Sequence, residues 1–263
     1  MPTFLDIPFA VTPQRTLALD LRIPLGVTKP ALVIYIPVSG MRQCNKSAAP
    51  TWLLEHGFAM AAIDVRVSPE VIAPLPVNDC KSAIRWLRAR ASDYGYDPEN
   101  IGVWGHSAGG LLASLMATSS DVPQLEGDGP HQGVSSRVQA ACDECGSPHT
   151  LSYFALPEIK ARSPGVHHNL SLYLGGPVEE RSELAALVSP ATYVSSKCPP
   201  IFQIHGEADN MVPIEDSIAF HQALLAAGVD STIRTLPGIG HGWDASLTHN
   251  DVVSFFRRTL TKG

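Results

Sequence analysis

The sequence predicts an α/β fold in which a mainly parallel central sheet of about eight strands carries helices on both faces. Short apolar runs that suit buried strands alternate along the chain with longer segments whose apolar residues recur at helical spacing. The chain has 263 residues, of which 44% are hydrophobic and 17% are charged. This length and composition fit one globular domain with a large core, so we predict a single domain over residues 1–263.

The strands are predicted from two kinds of apolar pattern. Residues 4–9 and 15–23 alternate between apolar and polar positions and predict a hairpin of edge strands. Continuous apolar runs, which are typical of strands buried on both faces, follow along the chain. These runs are residues 31–36, 58–65 and 101–104. Further strands are predicted over residues 138–142, 200–205 and 231–236.

Helices are predicted between these strands. The clearest is residues 77–94, where Cys80, Ala83 and Leu87 recur at spacings of three and four. The other predicted helices are residues 47–56, 111–117, 215–227 and 250–260. Residues 143–188 are rich in proline, glycine and histidine, and they predict an irregular insertion that forms a small cap over the site.

The charge balance argues against polyanionic partners. The net charge is −6 and the pI is about 5.9, so the chain offers no electrostatic basis for binding nucleic acid or an anionic membrane. No apolar run is long enough to span a bilayer. The segment Met1–Asp6 lacks the basic and apolar regions of a signal peptide. We therefore expect a cytoplasmic protein, and a secreted or periplasmic one stays open if a leader has been removed.

The cysteine and histidine patterns predict no metal and no organic cofactor. The five cysteines are an odd, sparse set that suits a reducing compartment better than a disulfide framework. Cys142 and Cys145 are spaced as C-x-x-C, but no second pair completes a zinc site, so both are interpreted as small buried residues. Several histidines also lack the spacing of metal ligands. These are His131, His149, His167 and His168.

One motif points to nucleophilic catalysis. A predicted strand runs into the pattern Gly-x-Ser-x-Gly, centred on Ser107, and a predicted helix follows it directly. This is the context of a nucleophile elbow, in which a sharp turn lifts the serine hydroxyl above the sheet. Gly105 and Gly109 flank the serine because strand and helix approach too closely there for side chains. The N–H groups at the helix N-terminus would stabilise developing negative charge.

The nucleophile needs a base to take its proton, and the base needs an acid to orient it. In this type of fold the acid and the base follow the serine in that order, each after a strand. His241, between two glycines, is the predicted base, and Asp209 is the predicted acid. Glu207 is the competing carboxylate, but it lies next to the end of the strand. His205 is interpreted as a packed core histidine.

The oxyanion hole requires backbone donors from two places. One is predicted to be the N–H of Ala108, directly after the nucleophile, and the other comes from Ser39 and Gly40 in the loop after strand 31–36. The predicted pocket residues are Met41, His106 and Trp243, although the ring of His106 is expected to point into the scaffold.

Several stretches together resemble the α/β-hydrolase superfamily, and within it the small esterase and lipase branch that includes hormone-sensitive-lipase-like and acetylxylan or feruloyl esterase-like enzymes. They are residues 79–88, 94–110, 189–194, 199–201, 205–209 and 237–243. The resemblance implies the α/β-hydrolase fold, and it makes Ser107 the nucleophile, Asp209 the acid and His241 the base. The chain departs from the family at residues 37–41, where His-Gly-Gly-Gly is usual and only Gly40 remains. This departure bears on rate and substrate range rather than on reaction class.

These patterns predict a serine carboxylesterase that acts on short-chain, acetyl or aryl esters through an acyl-enzyme, with carbohydrate-linked esters included by family analogy. The expected partner is a small-molecule ester, and a homodimer stays open. One alternative is an amide hydrolase of the arylformamidase or dipeptidyl-peptidase type, because the same triad serves both reactions. Another is a non-catalytic binding protein on a hydrolase scaffold, an alternative that the altered loop at residues 37–41 leaves open.

Overall fold

The computed structural model describes residues 1–120, 122–149 and 157–261. Its strands, in chain order, are β1 (Thr3–Val11), β2 (Thr16–Arg22), β3 (Leu32–Ile36), β4 (Val38–Ser39), β5 (Gln43–Cys44), β6 (Ala59–Ile63), β7 (Ile101–His106), β8 (Ala140–Glu144), β9 (Ile201–Gly206) and β10 (Ser231–Leu236). Within the described residues, eight of them form one sheet in the order β1-β2-β6-β3-β7-β8-β9-β10. The strands β4 and β5 pair with each other in a short hairpin.

The main sheet is parallel except at one side. The strand β2 pairs antiparallel with both β1 and β6, and the neighbours from β6 to β10 pair in parallel. The inner parallel strands β3 and β6 are continuous apolar runs because both of their faces are covered. The predicted fold class is confirmed, and the predicted hairpin is β1 and β2, of which β1 forms the sheet edge.

The helices of the described residues are α1 (Leu75–Ala89), α2 (Ala91–Tyr94), α3 (Ala108–Thr118), α4 (Pro157–Arg162), α5 (Pro164–Leu174), α6 (Ser182–Leu187), α7 (Ile214–Ala226) and α8 (His249–Leu260). They cover two apolar cores on opposite faces of the sheet. Ile34 of β3 belongs to the core that includes α1, α3 and α7, whereas its neighbour Val33 packs with Phe256 of α8. None of the helices in the described part of the chain is both long and apolar enough to cross a membrane.

The segment 47–56 differs from its prediction. The sequence pattern predicts one helix, but the structure has two short 3₁₀ turns, Lys46–Ala48 and Trp52–His56. Pro50 lies between them, and proline both lacks an N–H donor and clashes with the preceding turn of a helix. The proline therefore prevents the two turns from joining.

The helix predicted over residues 77–94 is also divided. It begins earlier, at Leu75, because Pro76 falls in the first turn, where its missing N–H is not needed. It is interrupted at Arg90, whose N–H donates to the carbonyls of Arg88 and Trp86, and α2 continues beyond that residue.

The insertion predicted over residues 143–188 is largely helical where the structure describes it. Its first two residues complete β8, so the strand predicted at 138–142 ends two residues later than expected. The helices α4 and α5 begin at Pro157 and Pro164, in the position where proline is favoured rather than disruptive. Residues 150–156 of the insertion lie outside the described residues.

Candidate active site

Ser107 occupies the turn between β7 and α3. Its backbone has φ 57° and ψ −118°, a region that residues other than glycine rarely adopt. Its N–H donates to the carbonyl of Glu144 at 2.7 Å, which fixes the turn against the end of β8. This strained turn between strand and helix has the form of a nucleophile elbow.

The two flanking glycines allow a very close approach of strand and helix. A Cβ on Gly109 would lie 2.2 Å from the carbonyl oxygen of Ile36, and a Cβ on Gly105 would lie 2.3 Å from the backbone of Gly109. Both distances are far below van der Waals contact, and both contacts are with backbone atoms that cannot swing away. The start of α3 can therefore pack against β3 and β7 only where side chains are missing.

Three side chains from separate loops form one hydrogen-bonded chain. Ser107 Oγ is 2.7 Å from His241 Nε2, and His241 Nδ1 is 2.7 Å from Asp209 Oδ2. The side chain of Asp209 is fully buried, and that of His241 is 15% exposed. The carboxyl ends of β7, β9 and β10 lie at the same edge of the parallel sheet, which brings the three loops together.

The carboxylate of Asp209 is surrounded by donors. The N–H groups of Met211 and Val212 donate to Oδ1 at 2.8 and 2.9 Å, and the imidazoles of His241 and His205 lie 2.7 and 3.1 Å from Oδ2. Burial by itself would raise the pKa of Asp209, but the hydrogen bonds from His205, His241 and Val212 outweigh it and hold the pKa well below its usual range. The carboxylate is therefore ionised near neutral pH.

Glu207, the competing carboxylate, lies away from the triad. It is exposed, and its Oε1 accepts a hydrogen bond from the hydroxyl of Thr235 at 2.7 Å. The loop folds back sharply after β9 because Gly206 lies against the backbone of residues 239 and 240, where a Cβ would be 2.3 Å from their carbonyl oxygens. This turn directs Asp209, three residues after Gly206, towards His241.

Cys145 contacts both His106 at the end of β7 and the loop that carries His241. Cys145 Sγ lies 3.2 Å from His106 Nε2 and donates to the carbonyl of His241 at 3.4 Å. Burial, with the neighbouring charge of His241, lowers the pKa of His106 to about 4, and burial raises the pKa of Cys145 well above its usual value. Both side chains are therefore neutral near neutral pH, and all five cysteines are free thiols. Cys145, Asp209 and His241 are also close enough to bind a metal, but Asp209 already accepts a hydrogen bond from His241 at 2.7 Å.

The loop that departs from the family pattern forms a tight hairpin. Strands β4 and β5 flank it, and the N–H of Arg42 donates to the carbonyl of Ser39 at 3.0 Å. The two central residues, Gly40 and Met41, have φ of 55° and 57°. Left-handed residues in this position match the twist of paired strands. In the described part of the chain, the N–H groups of Gly40 and Ala108 have no protein acceptor, so both are available to a ligand.

A cavity of about 240 Å³ opens beside Ser107 and His241. Among its walls are the predicted oxyanion and pocket residues Ser39, Gly40, Met41, His106 and Ala108. The remaining lining residues are Leu111, Ser147, Val166, Asn169, Leu170, Met211 and Val212. Three of these residues, Val166, Asn169 and Leu170, lie on α5. The sequence predicts a cap over residues 143–188 but does not indicate which of its side chains face the cavity. No motif in the sequence distinguishes these side chains from ordinary amphipathic helix positions.

Trp243 does not line this cavity, contrary to the prediction. Its indole N–H donates to the hydroxyl of Thr248 at 3.1 Å, and its ring packs 5.5 Å from that of His106. The hydrogen bond to Thr248 directs the indole towards the core beneath α8, on the other face of the sheet. Trp243 therefore supports the loop of His241 from behind.

The carboxyl group of Glu144, the last residue of β8, is buried beside Trp104 and Thr248. Burial, with a smaller contribution from neighbouring Asp143, raises the pKa of Glu144 to about 7. The unfolded chain releases this proton near pH ~4.3, so between these values the folded state binds more protons than the unfolded state. The free energy of unfolding must then fall as pH rises through this window.

Replacing Glu144 with glutamine is expected to prevent this pH-dependent fall in the free energy of unfolding, because glutamine resembles the protonated carboxyl and does not titrate. Relative to the natural protein, the variant should gain roughly 3 to 4 kcal/mol in the free energy of unfolding between pH ~4.5 and ~8. Urea denaturation at a series of pH values measures this difference. The matched control is Glu183→Gln on the exposed surface of α6, which should show no such gain. The prediction would be contradicted if the free energy of unfolding depended on pH in the same way for Glu144→Gln and the natural protein.

Comparison with known proteins identifies the relatives of this chain. The BD-FAE family model matches residues 19–224, which is more than half of the chain. The chain belongs to the BD-FAE family. This α/β-hydrolase-like family confirms the resemblance drawn from the sequence motifs.

Individual relatives of this chain carry esterase names. Esterase LipQ of Mycobacterium tuberculosis is 34% identical over 199 residues, covering 74% of this chain and 45% of LipQ. The chain thus spans about half the length of the curated relatives that it matches.

Solved structures cover the chain more fully. A truncated carbohydrate esterase from gut microbiota matches with a TM-score of 0.83 and 27% identity, covering 100% of this chain and 97% of that one. An acetyl ester-xyloside bifunctional hydrolase from Caldicellulosiruptor lactoaceticus matches with a TM-score of 0.76 and 27% identity, covering 94% and 86%. The names of the relatives agree with the predicted class of carboxylic ester hydrolase.

Proposed function

We propose that this chain is a serine carboxylesterase that hydrolyses short-chain, acetyl or aryl esters, carbohydrate-linked esters among them. The observation that carries the proposal is the unbroken chain of hydrogen bonds, 2.7 Å at each step, from Ser107 through His241 to Asp209. This geometry joins a nucleophile to a base and the base to an orienting carboxylate.

The same hydrogen bonds assign the proton positions. Asp209 is ionised and can only accept, so Nδ1 of His241 carries a proton and Nε2 presents its lone pair to the hydroxyl of Ser107. When Ser107 attacks the ester carbonyl, His241 takes the hydroxyl proton and then delivers it to the departing alcohol. His241 then takes a proton from water, which attacks the acyl-enzyme, and returns the proton to Ser107 as the acid is released.

The negative oxygen of the tetrahedral intermediate needs donors beside Ser107. The N–H of Ala108 at the start of α3 and the N–H of Gly40 in the hairpin both border the cavity. Backbone donors do not depend on the side chains of the loop, so the altered sequence at residues 37–41 keeps this capacity. Losing one such donor costs roughly 10²–10³ in kcat.

The cavity supports the choice of small acyl groups. Its volume of about 240 Å³ and its mostly apolar walls suit an acetyl or short aliphatic chain better than a long lipid chain. Relatives named for carbohydrate esters and for acetyl ester-xylosides support a carbohydrate as the alcohol part. Several of the lining groups are polar and could contact sugar hydroxyls, including Ser39, Ser147 and Asn169.

The test combines covalent labelling with a substrate series. A fluorophosphonate probe should modify the natural protein on the peptide that contains Ser107, and it should leave Ser107→Ala unmodified. Hydrolysis of 4-nitrophenyl esters should be fastest for the acetyl and butyryl members and should fall for long acyl chains. Acetylated xylo-oligosaccharides and 4-nitroanilides test the carbohydrate and amide alternatives. Labelling at another residue, or anilides cleaved faster than esters, would overturn the proposal.

A further inference from the structure

A second histidine contacts the catalytic carboxylate from inside the protein. His205 lies in β9 with no exposed surface. Its Nε2 is 3.1 Å from Asp209 Oδ2 and 3.1 Å from the carbonyl oxygen of Val212, and its Nδ1 is 2.8 Å from the hydroxyl of Ser217 on α7. Its position at the end of a strand predicts a packed core histidine, but each of its ring nitrogens has a polar partner.

These partners determine which nitrogen carries the proton. A carbonyl oxygen can only accept, so Nε2 of His205 carries the proton and donates it to Val212, and the same nitrogen lies 3.1 Å from Asp209 Oδ2. The hydroxyl of Ser217, which is buried, then donates to Nδ1. Ser217 therefore selects the tautomer of His205 that carries its proton on Nε2, the nitrogen 3.1 Å from Asp209 Oδ2.

His205 and His241 thus share one oxygen of Asp209. The two imidazoles approach Oδ2 at 3.1 and 2.7 Å, while the N–H groups of Met211 and Val212 hold Oδ1. With both oxygens held, the carboxyl group cannot rotate about its last bond without losing several charge-assisted hydrogen bonds. The direction of Oδ2 towards His241 is therefore set partly by His205.

We propose that His205 is a positioning residue of the triad, which acts through Asp209 on the orientation and basicity of His241. The proposal rests on the function proposed above, because it concerns the same triad. In this proposal, Ser217 and His205 extend the series of polar contacts of the triad into the protein interior. The order of the contacts is Ser217, His205, Asp209, His241, Ser107.

The direction of the effect follows from electrostatics. The Nε2–H of His205 withdraws charge from Oδ2 and presents a positive dipole towards a protonated His241, so it disfavours the imidazolium. His106 and Cys145 face His241 from β7 and from the end of β8, and both are neutral near neutral pH. The charged group that faces His241 is Asp209 itself.

The experiment compares two substitutions of similar size. His205→Gln keeps an N–H near the position of Nε2, whereas His205→Met fills the space without a donor. In His205→Met, we expect kcat for 4-nitrophenyl acetate to fall about tenfold while KM changes less than about twofold, because substrate does not touch residue 205. The acid limb of the kcat/KM profile should move to higher pH by about half to one unit. His205→Gln should keep the natural profile. An unchanged acid limb in His205→Met, or the same shift in both variants, would overturn the proposal.

A milder variant tests the same relay without altering the histidine. Ser217→Ala removes the hydroxyl that selects the tautomer, so it should shift the acid limb in the same direction as His205→Met by a smaller amount. If His205→Met fails to fold, this variant carries the test, and a natural profile in Ser217→Ala would overturn the proposal.

A readout that needs no substrate separates this proposal from the proposed function. The proton on His241 Nδ1 should give a far-downfield ¹H NMR resonance, which should shift or broaden in His205→Met and stay in His205→Gln. If the natural protein hydrolyses no ester but shows this pattern, the proposed function fails and the positioning role stands. An identical resonance in both variants would overturn the positioning role.

Discussion

Replacing Ser107 with alanine is expected to lower kcat for 4-nitrophenyl acetate by about 10⁴- to 10⁶-fold, the largest effect predicted for this chain. The substitution removes the only atom that the proposed mechanism joins to the acyl group, but it leaves the cavity and its backbone donors in place. KM should change little, because binding does not require the hydroxyl. Steady-state rates over a range of substrate concentrations measure both constants.

A second serine provides the matched control for this substitution. Ser254 lies on the exposed face of α8 and does not border the cavity, so Ser254→Ala should keep natural rates. Adding His241→Ala to Ser107→Ala should cause almost no further loss, because the two side chains act as one unit. A Ser107→Ala protein that retains more than about one hundredth of the natural kcat would exclude Ser107 as the nucleophile.

Replacing Gly109 with alanine is expected to destabilise the whole fold. The added methyl group would lie 2.2 Å from the carbonyl oxygen of Ile36, so α3 must move away from β3 or the strand must bend. Overpacking against rigid backbone costs about 3 kcal/mol or more. For a chain of this size, this loss lowers the apparent Tm by roughly 6 to 12 °C. Thermal unfolding followed by circular dichroism measures it.

The control for this prediction is another glycine. Gly133 is exposed, and a Cβ there would meet no atom within 4 Å, so Gly133→Ala should leave the apparent Tm nearly unchanged. Esterase activity should also fall in Gly109→Ala, because movement of α3 displaces the N–H of Ala108 from the oxyanion position. Equal Tm values for the two variants would show that the contact between α3 and β3 relaxes freely.

Buried strands were the most predictable part of this fold. A run such as residues 31–36 is apolar throughout because both faces of a central parallel strand are covered, and few other structures require that pattern. The elbow at Ser107 was predictable for a similar reason, since close backbone approach leaves glycine as the only residue that fits at positions 105 and 109. The order of serine, acid and histidine then narrowed the choice of triad residues.

Features that depend on tertiary contacts were not predictable in the same way. Pro50 separates two short 3₁₀ turns, whereas Pro164 begins the helix α5. The difference depends only on where each proline lies relative to the start of a helix. The orientation of Trp243 is set by Thr248, which the sequence does not mark as its partner. The contact of His205 with Asp209 depends on the side-chain direction at the end of β9, which the apolar pattern of the strand does not reveal.

The side wall of the cavity and the reacting groups come from different stretches of the chain. Val166, Asn169 and Leu170 lie on α5, a helix within the insertion, whereas the triad stands on loops of the main sheet. Under the proposed function, substitutions at these three positions of α5 are expected to change which esters are accepted while the proposed triad keeps its geometry. A library confined to these three positions would therefore sample new substrate specificities.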